Sequence, residues 1–230
     1  MFGTAKVAVV SGVGPGMGRS IALGLARGGV DVVLAARRAE RLEAVAAEER
    51  FGGIDVLVQN GHHEGDWQRV VDADPDVWRG IFDVNLFGAL HLVQAVVPVM
   101  GERGGGSIIL VNSGAAVRTP ATMGAYSTSK AALAALTRTL AVEVGHCQIR
   151  VNGVYLGPVL GDNLTRLGAG AAAAAGTTVE EWLKVKATEM PLGFVPTPDQ
   201  CAGAVLFLAS DLAAAVTGQH LSVNGGQWLS

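Results

Sequence analysis

Apolar positions along the chain fall into two patterns. Residues 6–10, 31–35, 54–59, 106–112 and 148–155 are short and apolar at nearly every position, as in KVAVV and GSIILVN. Such continuity is expected of strands buried on both faces, as in a parallel sheet. Between them, residues 17–27, 39–51, 74–99 and a segment running through AALAALTRTLAVEV to Gly145 repeat apolar residues at helical spacing. Asp74 and Pro75 offer a cap and a first-turn proline to the third of these helices. Strands alternating with helices predict an α/β fold.

Polar chemistry collects where the strands end. The first strand runs directly into SGVGPGMGRS, so Ser11, Gly12, Gly14, Gly16, Met17 and Gly18 form the turn into the first helix. Glycine there lets the backbone approach a pyrophosphate, and the helix N-terminus favours its charge. With strands alternating with helices, the turn points to a Rossmann-like doubly wound parallel sheet in three α/β/α layers that binds a dinucleotide; a merely tight βα turn is the other reading. At the end of the second strand such folds place an acidic residue for the ribose 2′-hydroxyl of NAD. Here Ala36 holds that place, followed by Arg37 and Arg38. Arg37 could grip a 2′-phosphate, which favours NADP with NAD as the alternative; the pair could also be solvated arginines opening a helix.

The strand 106–112 is followed by SGAAVRTPATMGAYSTSK, with Ser113, Tyr126 and Lys130. Tyr126 and Lys130 share one helical face. Free tyrosine titrates near pH ~10, and a neighbouring ammonium favours the phenolate, so Lys130 is expected to lower the Tyr126 pKa. A serine hydroxyl nearby can hold a carbonyl or alcohol oxygen.

With 230 residues, half of them hydrophobic, the chain can bury one large core, and residues 1–230 are expected to form one domain. A net charge of −3 offers no basic face for nucleic acid. Cys147 and Cys201 lack pairing or metal-ligand spacing, which suits a reducing compartment. No leader opens the chain and no apolar run of spanning length is read in it, so a cytoplasmic protein without membrane contact is expected. His62, His63 and Glu64 are adjacent, which suits a polar loop at the rim of the cleft better than a metal site. Residues 157–191 are read as a loop-like substrate lid, with GAGAAAAAG as low-complexity sequence and TTVEEWLKVKATEM as a short capped helix. Leu160, Leu164, Leu167 and Trp182 would line it as an apolar cover, or serve as ordinary core packing.

Taken together, these motifs resemble the short-chain dehydrogenase/reductase family over nearly the whole chain. SGVGPGMG is similar to its TGxxxGxG turn, and Ser113, Tyr126 and Lys130 stand at its catalytic spacing. VNLFG carries Asn85, the fourth member of the family's tetrad, although a helix-bending polar residue satisfied by backbone is the other reading. IRVNGVYLGPV resembles the segment bordering the nicotinamide, with Leu156 where the family has proline, before Gly157. FLASDLAAAVTGQHLSVNGG looks like its last helix, turn and strand. The family's NNAG is replaced by Gln59, Asn60, Gly61 and His62. About thirty residues are missing between AAEER and FGGIDVLV, the size of one strand-plus-helix unit. The family's sheet order, 3-2-1-4-5-6-7, would then shrink to six strands, 2-1-4-5-6-7, with residues 31–35 at the edge.

The resemblance implies an NAD(P)-dependent oxidoreductase interconverting an alcohol and a ketone or aldehyde. Catalysis would rest on Asn85, Ser113, Tyr126 and Lys130. Tyr126 would be the acid/base, Ser113 would hold the substrate oxygen, and Asn85 would position a water relaying protons from Lys130. The cofactor would lie against Ser11, Gly12, Gly14, Gly16, Met17, Gly18, Arg37, Asn60, Gly61, Tyr126, Lys130 and Gly157. Substrate would meet Ser113, Leu160, Leu164 and Trp182. The family implies a homodimer or homotetramer. A catalytically impaired binding or assembly module is the alternative, motivated by the missing segment.

Overall fold

The computed structural model describes residues 2–3, 6–35 and 50–229. Six parallel strands form one sheet: β1 (Val7–Ser11), β2 (Asp31–Ala35), β3 (Val56–Gln59), β4 (Gly106–Ser113), β5 (Ile149–Leu156) and β6 (His220–Val223), in the order β2-β1-β3-β4-β5-β6. This is the six-strand order expected, with β2 at the edge. β1 pairs on one side with β2 and on the other with β3, Val9 facing both Val33 and Leu57. The chain therefore reverses its winding at β1. A crevice opens at such a switch point, outside the carboxyl ends of the strands.

Burial on both faces explains the continuous apolar runs. Val7 and Val9 join one core with Leu57, Ile108, Leu110, Leu92, Val96 and Leu133. Ala8 and Val10 join the opposite core with Val58, Ile109, Ile21, Leu25, Val205 and Leu208. Alternate residues of each strand thus serve opposite layers. Helices α1 (Met17–Arg27) and α7 (Pro198–Ala209) cover the second core; α3 (Gly88–Glu102) and α4 (Gly124–Val144) cover the first.

The expected helix 74–99 forms as α2 (Pro75–Phe82), a π-helical turn (Asp83–Phe87) and α3, and it runs on through Pro98 to Glu102. Asp74 caps it by accepting from the Asp76 N–H at 2.8 Å. One expectation is corrected here. Pro75–Glu102 is long and apolar enough to cross a membrane by length and composition alone, with a mean hydropathy of 1.6 in its apolar window. Its Leu92, Val93, Val96 and Met100 pack into the sheet core.

A second correction concerns residues 157–191. They are not loop-like: they fold into α5 (Asp162–Ala175) and α6 (Val179–Thr188). The Ala-rich run favours helix strongly. The glycine among it admits a partner, since a Cβ on Gly168 would lie 2.6 Å from the Trp182 ring. The capped helix is as expected, with Thr178 and Glu181 forming a capping box.

Candidate active site

The crevice is built first from the glycine turn. Gly12, at φ +76°, lies so close to the β3 exit that a Cβ there would sit 2.2 Å from the Gly61 nitrogen. Asn60 fastens the two turns, its side-chain amide donating to the Gly12 carbonyl at 2.8 Å, while its N–H bonds the Ser11 carbonyl at 3.1 Å. Gly12 in turn donates to the Ala35 carbonyl of β2 at 3.0 Å. Ser11, Gly12, Asn60 and Gly61 are thereby drawn together at the switch point. Gly14 and Gly16 differ: nothing lies within 4 Å of a Cβ on either, so both face open space before the N-terminus of α1. A shallow cradle of small residues before a helix N-terminus suits a pyrophosphate. The residues present fit a dinucleotide there. Arg37 falls outside the described residues.

The second half of the crevice is set by β4 and α4. Ser113 ends β4, and its side-chain oxygen accepts from the Ala115 N–H at 3.2 Å. Asn112, one residue earlier, ties strand to helix: its Oδ1 accepts from Ser113 N–H at 2.8 Å and its Nδ2 donates to the Lys130 carbonyl at 3.0 Å. Tyr126 and Lys130 project from α4 and are both buried, as is Asn85. Lys130 Nζ donates to the Val111 carbonyl at 2.9 Å and lies 5.9 Å from the centre of the Tyr126 ring.

Burial dominates the titration of this pair. It pushes the Tyr126 hydroxyl up to about 12; the Ser113 hydroxyl opposes that rise and the Glu64 carboxylate adds to it. Burial likewise draws Lys130 down to about 7. The expectation that Lys130 lowers Tyr126 is therefore corrected: desolvation dominates at the phenol, and the Lys130 amine is directed at the Val111 carbonyl.

Asn85 sits in the π-helical turn, the sort of helix irregularity that often marks functional sites. Its Oδ1 accepts from the His63 N–H at 2.7 Å, and its Nδ2 donates to the His63 carbonyl and to Ser129 Oγ, both at 2.9 Å. The side chain is thus committed to the loop after β3, and a water relay from Asn85 would have to use its main chain.

That loop carries groups read in the sequence only as a polar rim. His62 stands edge-on to Tyr126, with ring centres 6.3 Å apart. Its Nε2 lies 3.6 Å from Glu64 Oε1. Interaction with His62 holds Glu64 below the usual carboxylate range against the opposing effect of burial, aided by Arg166 and His63. From α5, Arg166 Nη2 and Asn163 Nδ2 approach the same carboxylate at 3.7 and 3.4 Å. Among the described residues no cluster of three metal-ligating side chains occurs.

Of the residues expected to line a lid, Leu164 is buried, Leu160 and Leu167 are exposed, and Trp182 packs between α5 and α6. Gly157 donates to the Val223 carbonyl at 3.0 Å, and a Cβ there would press on Asn224. Trp228 was missed from sequence: its ring lies where a Cβ on Gly114 would be, directly after Ser113.

This fold, with an open glycine cradle after β1 and a Ser–Tyr–Lys set after β4, is the scaffold of a nicotinamide-dinucleotide oxidoreductase. The chain belongs to the short-chain dehydrogenase/reductase family. Residues 39–227 match the family model described as enoyl-(acyl carrier protein) reductase. The pig dehydrogenase/reductase SDR family member 4 is 32% identical over 96% of this chain and 86% of its own length. Aldohexose dehydrogenase from Thermoplasma acidophilum superposes with a TM-score of 0.89 at 26% identity, over 97% of this chain and 94% of that one. L-sorbose reductase from Gluconobacter frateurii, solved with NADPH and L-sorbose, gives 0.87 at 29%, over 99% and 98%.

Proposed function

We propose that the protein is an NADP(H)-preferring reductase that interconverts a small ketone or aldehyde with the corresponding alcohol, Tyr126 being the acid/base. The observation that carries this reading is the buried Tyr126 hydroxyl placed beside Ser113, with the Lys130 amine 5.9 Å from the centre of its ring. Burial holds the phenol at about 12, so a charged Lys130 has to bring it down toward the working pH for efficient proton transfer.

Ser113 and Tyr126 hold the substrate oxygen, and Tyr126 delivers its proton to that oxygen as charge develops there. Lys130, with one partner at Val111, keeps amine protons for a ribose hydroxyl and, once charged, favours the phenolate that Tyr126 becomes. Gly14 and Gly16 leave room for the pyrophosphate, and Arg37 takes the 2′-phosphate. The nicotinamide, when bound, supplies the hydride. Helices α5 and α6 cover the substrate. Preference for NADP over NAD is supported by Arg37 in the sequence and by the NADPH in the sorbose reductase complex. A cytoplasmic homo-oligomer completes the proposal, in keeping with the two free cysteines.

The test is NADPH oxidation against a panel of ketones and aldehydes, with Tyr126→Phe alongside. Acid–base groups contribute about 10²–10⁴-fold, so the variant should lose at least ~10²-fold while still binding NADPH. Activity within a few-fold of wild type would refute the role of Tyr126.

A further inference from the structure

His62 occupies the last position of the segment where the family resemblance calls for NNAG, and glycine there would present no side chain. Its imidazole instead stands in the crevice, edge-on to Tyr126 at 6.3 Å between ring centres. It is not adrift. Nε2 faces Glu64 at 3.6 Å, and that carboxylate is reached from the lid helix by Asn163 and Arg166. Asn85 fixes the peptide of His63, the next residue, through two hydrogen bonds. The loop is therefore held from beneath by the π-helical turn and from above by the lid.

A carboxylate beside one ring nitrogen biases the tautomer. Glu64, 3.6 Å from Nε2, favours a neutral imidazole that carries its proton on that nitrogen, leaving Nδ1 as an acceptor. An acceptor beside the proton-donating phenol recognises a donor on the substrate close to the reacting carbonyl. The simplest such donor is a hydroxyl on the carbon next to the carbonyl whose oxygen Tyr126 holds.

We propose that His62, oriented by Glu64, is a specificity-determining residue selecting carbonyl substrates that carry a hydroxyl on the neighbouring carbon. The inference rests on Tyr126 being the acid/base of the proposed reaction. It adds a recognition element that the Ser–Tyr–Lys set does not supply. Glu64 is the positioning residue, and the lid contacts couple its placement to α5.

The test compares 2-hydroxycyclohexanone with cyclohexanone as substrates of the NADPH-loaded enzyme. A single partly exposed hydrogen bond is worth about three- to ten-fold in a rate ratio. His62→Gly should therefore reduce the ratio of kcat/KM values for the two ketones by about that factor. Glu64→Gln, which keeps the shape and removes the charge, should reduce it in the same direction. A ratio unchanged in both variants overturns the inference. Failure of either ketone to oxidise NADPH would count against the proposed reaction, so binding is read separately. The His62 Cε1–H resonance, assigned by its loss in His62→Gly, should shift on addition of 2-hydroxycyclohexanone and not of cyclohexanone. Equal shifts, or none, overturn the proposal even where turnover is absent.

Discussion

Asn85 and His63 satisfy each other in both directions: one amide accepts the His63 N–H at 2.7 Å and donates to the His63 carbonyl at 2.9 Å. A side chain on a helix thus takes the part of a neighbouring strand for one residue of loop. Asn85 is wholly buried, so deleting it leaves peptide groups without partners. Asn85→Ala should cost about 2–4 kcal/mol in chemical denaturation and lower kcat through the displaced loop. Unchanged stability would show that water replaces the amide.

The glycines of the first turn should separate into two kinds. Gly12→Ala drives a Cβ into the Gly61 backbone at a positive φ, and should lower stability by about 2–4 kcal/mol. Gly14→Val meets nothing within 4 Å, so its stability should stay within ~0.5 kcal/mol while NADPH binding weakens at least about ten-fold. Fluorescence titration with NADPH decides the second half. Wild-type affinity in Gly14→Val would move the pyrophosphate away from this turn.

Lys130 gives a pH signature. Its ordinary value is 10.5, and burial draws it to about 7 in the folded protein. Between those values the unfolded chain binds a proton that the folded chain lacks, so stability rises with pH across that window. Lys130→Met removes the difference. The variant should be more stable than wild type near pH 7, flatter in Tm between pH 7 and 9.5, and inactive. The window stops short of 10, where Tyr126, held near 12 when folded, begins to act with the opposite sign. A variant Tm profile parallel to that of wild type would mean that Lys130 is charged in its buried site.

Arg37→Ala tests cofactor choice. A charge-assisted hydrogen bond is worth about 1.5–3 kcal/mol, so NADPH should weaken by roughly ten- to hundred-fold and NADH hardly at all. Equal weakening of both would remove the 2′-phosphate contact.

The strand core was readable because both faces are buried: VAVV and SIILV leave no polar alternation to misread. The six-strand order was readable by subtraction, since AAEER meets FGGIDVLV directly and leaves no length for the family's seventh strand. The segment Asp162–Ala175 was misread where composition misleads. GAGAAAAAG looks featureless, yet alanine favours helix and Gly168 exists for the Trp182 ring. The titration of Tyr126 and Lys130 was not readable, because spacing puts the residues together while burial decides their charge. Nor could spacing show Trp228 behind Gly114, or the His62–Glu64 contact, which depends on where a loop crosses the end of a helix.

The strand pairings are unequal in length, and that bears on how the molecule opens. β4 and β5 pair through eight positions, from Gly106 with Ile149 to Ser113 with Leu156, whereas β2 has one neighbour through five and β6 one neighbour through four. Amide exchange should be slowest in β4 and β5 and fastest at the two margins, because doubly flanked ladders open only with the whole domain. Ser113 is attached to the slow block, with α4 packed against it. The sheet margin at Ala35 belongs to the fast one. Deuterium uptake should therefore reach the Ala35 edge long before the end of the sheet that carries Ser113, so that one side of the crevice can breathe while the other stays assembled.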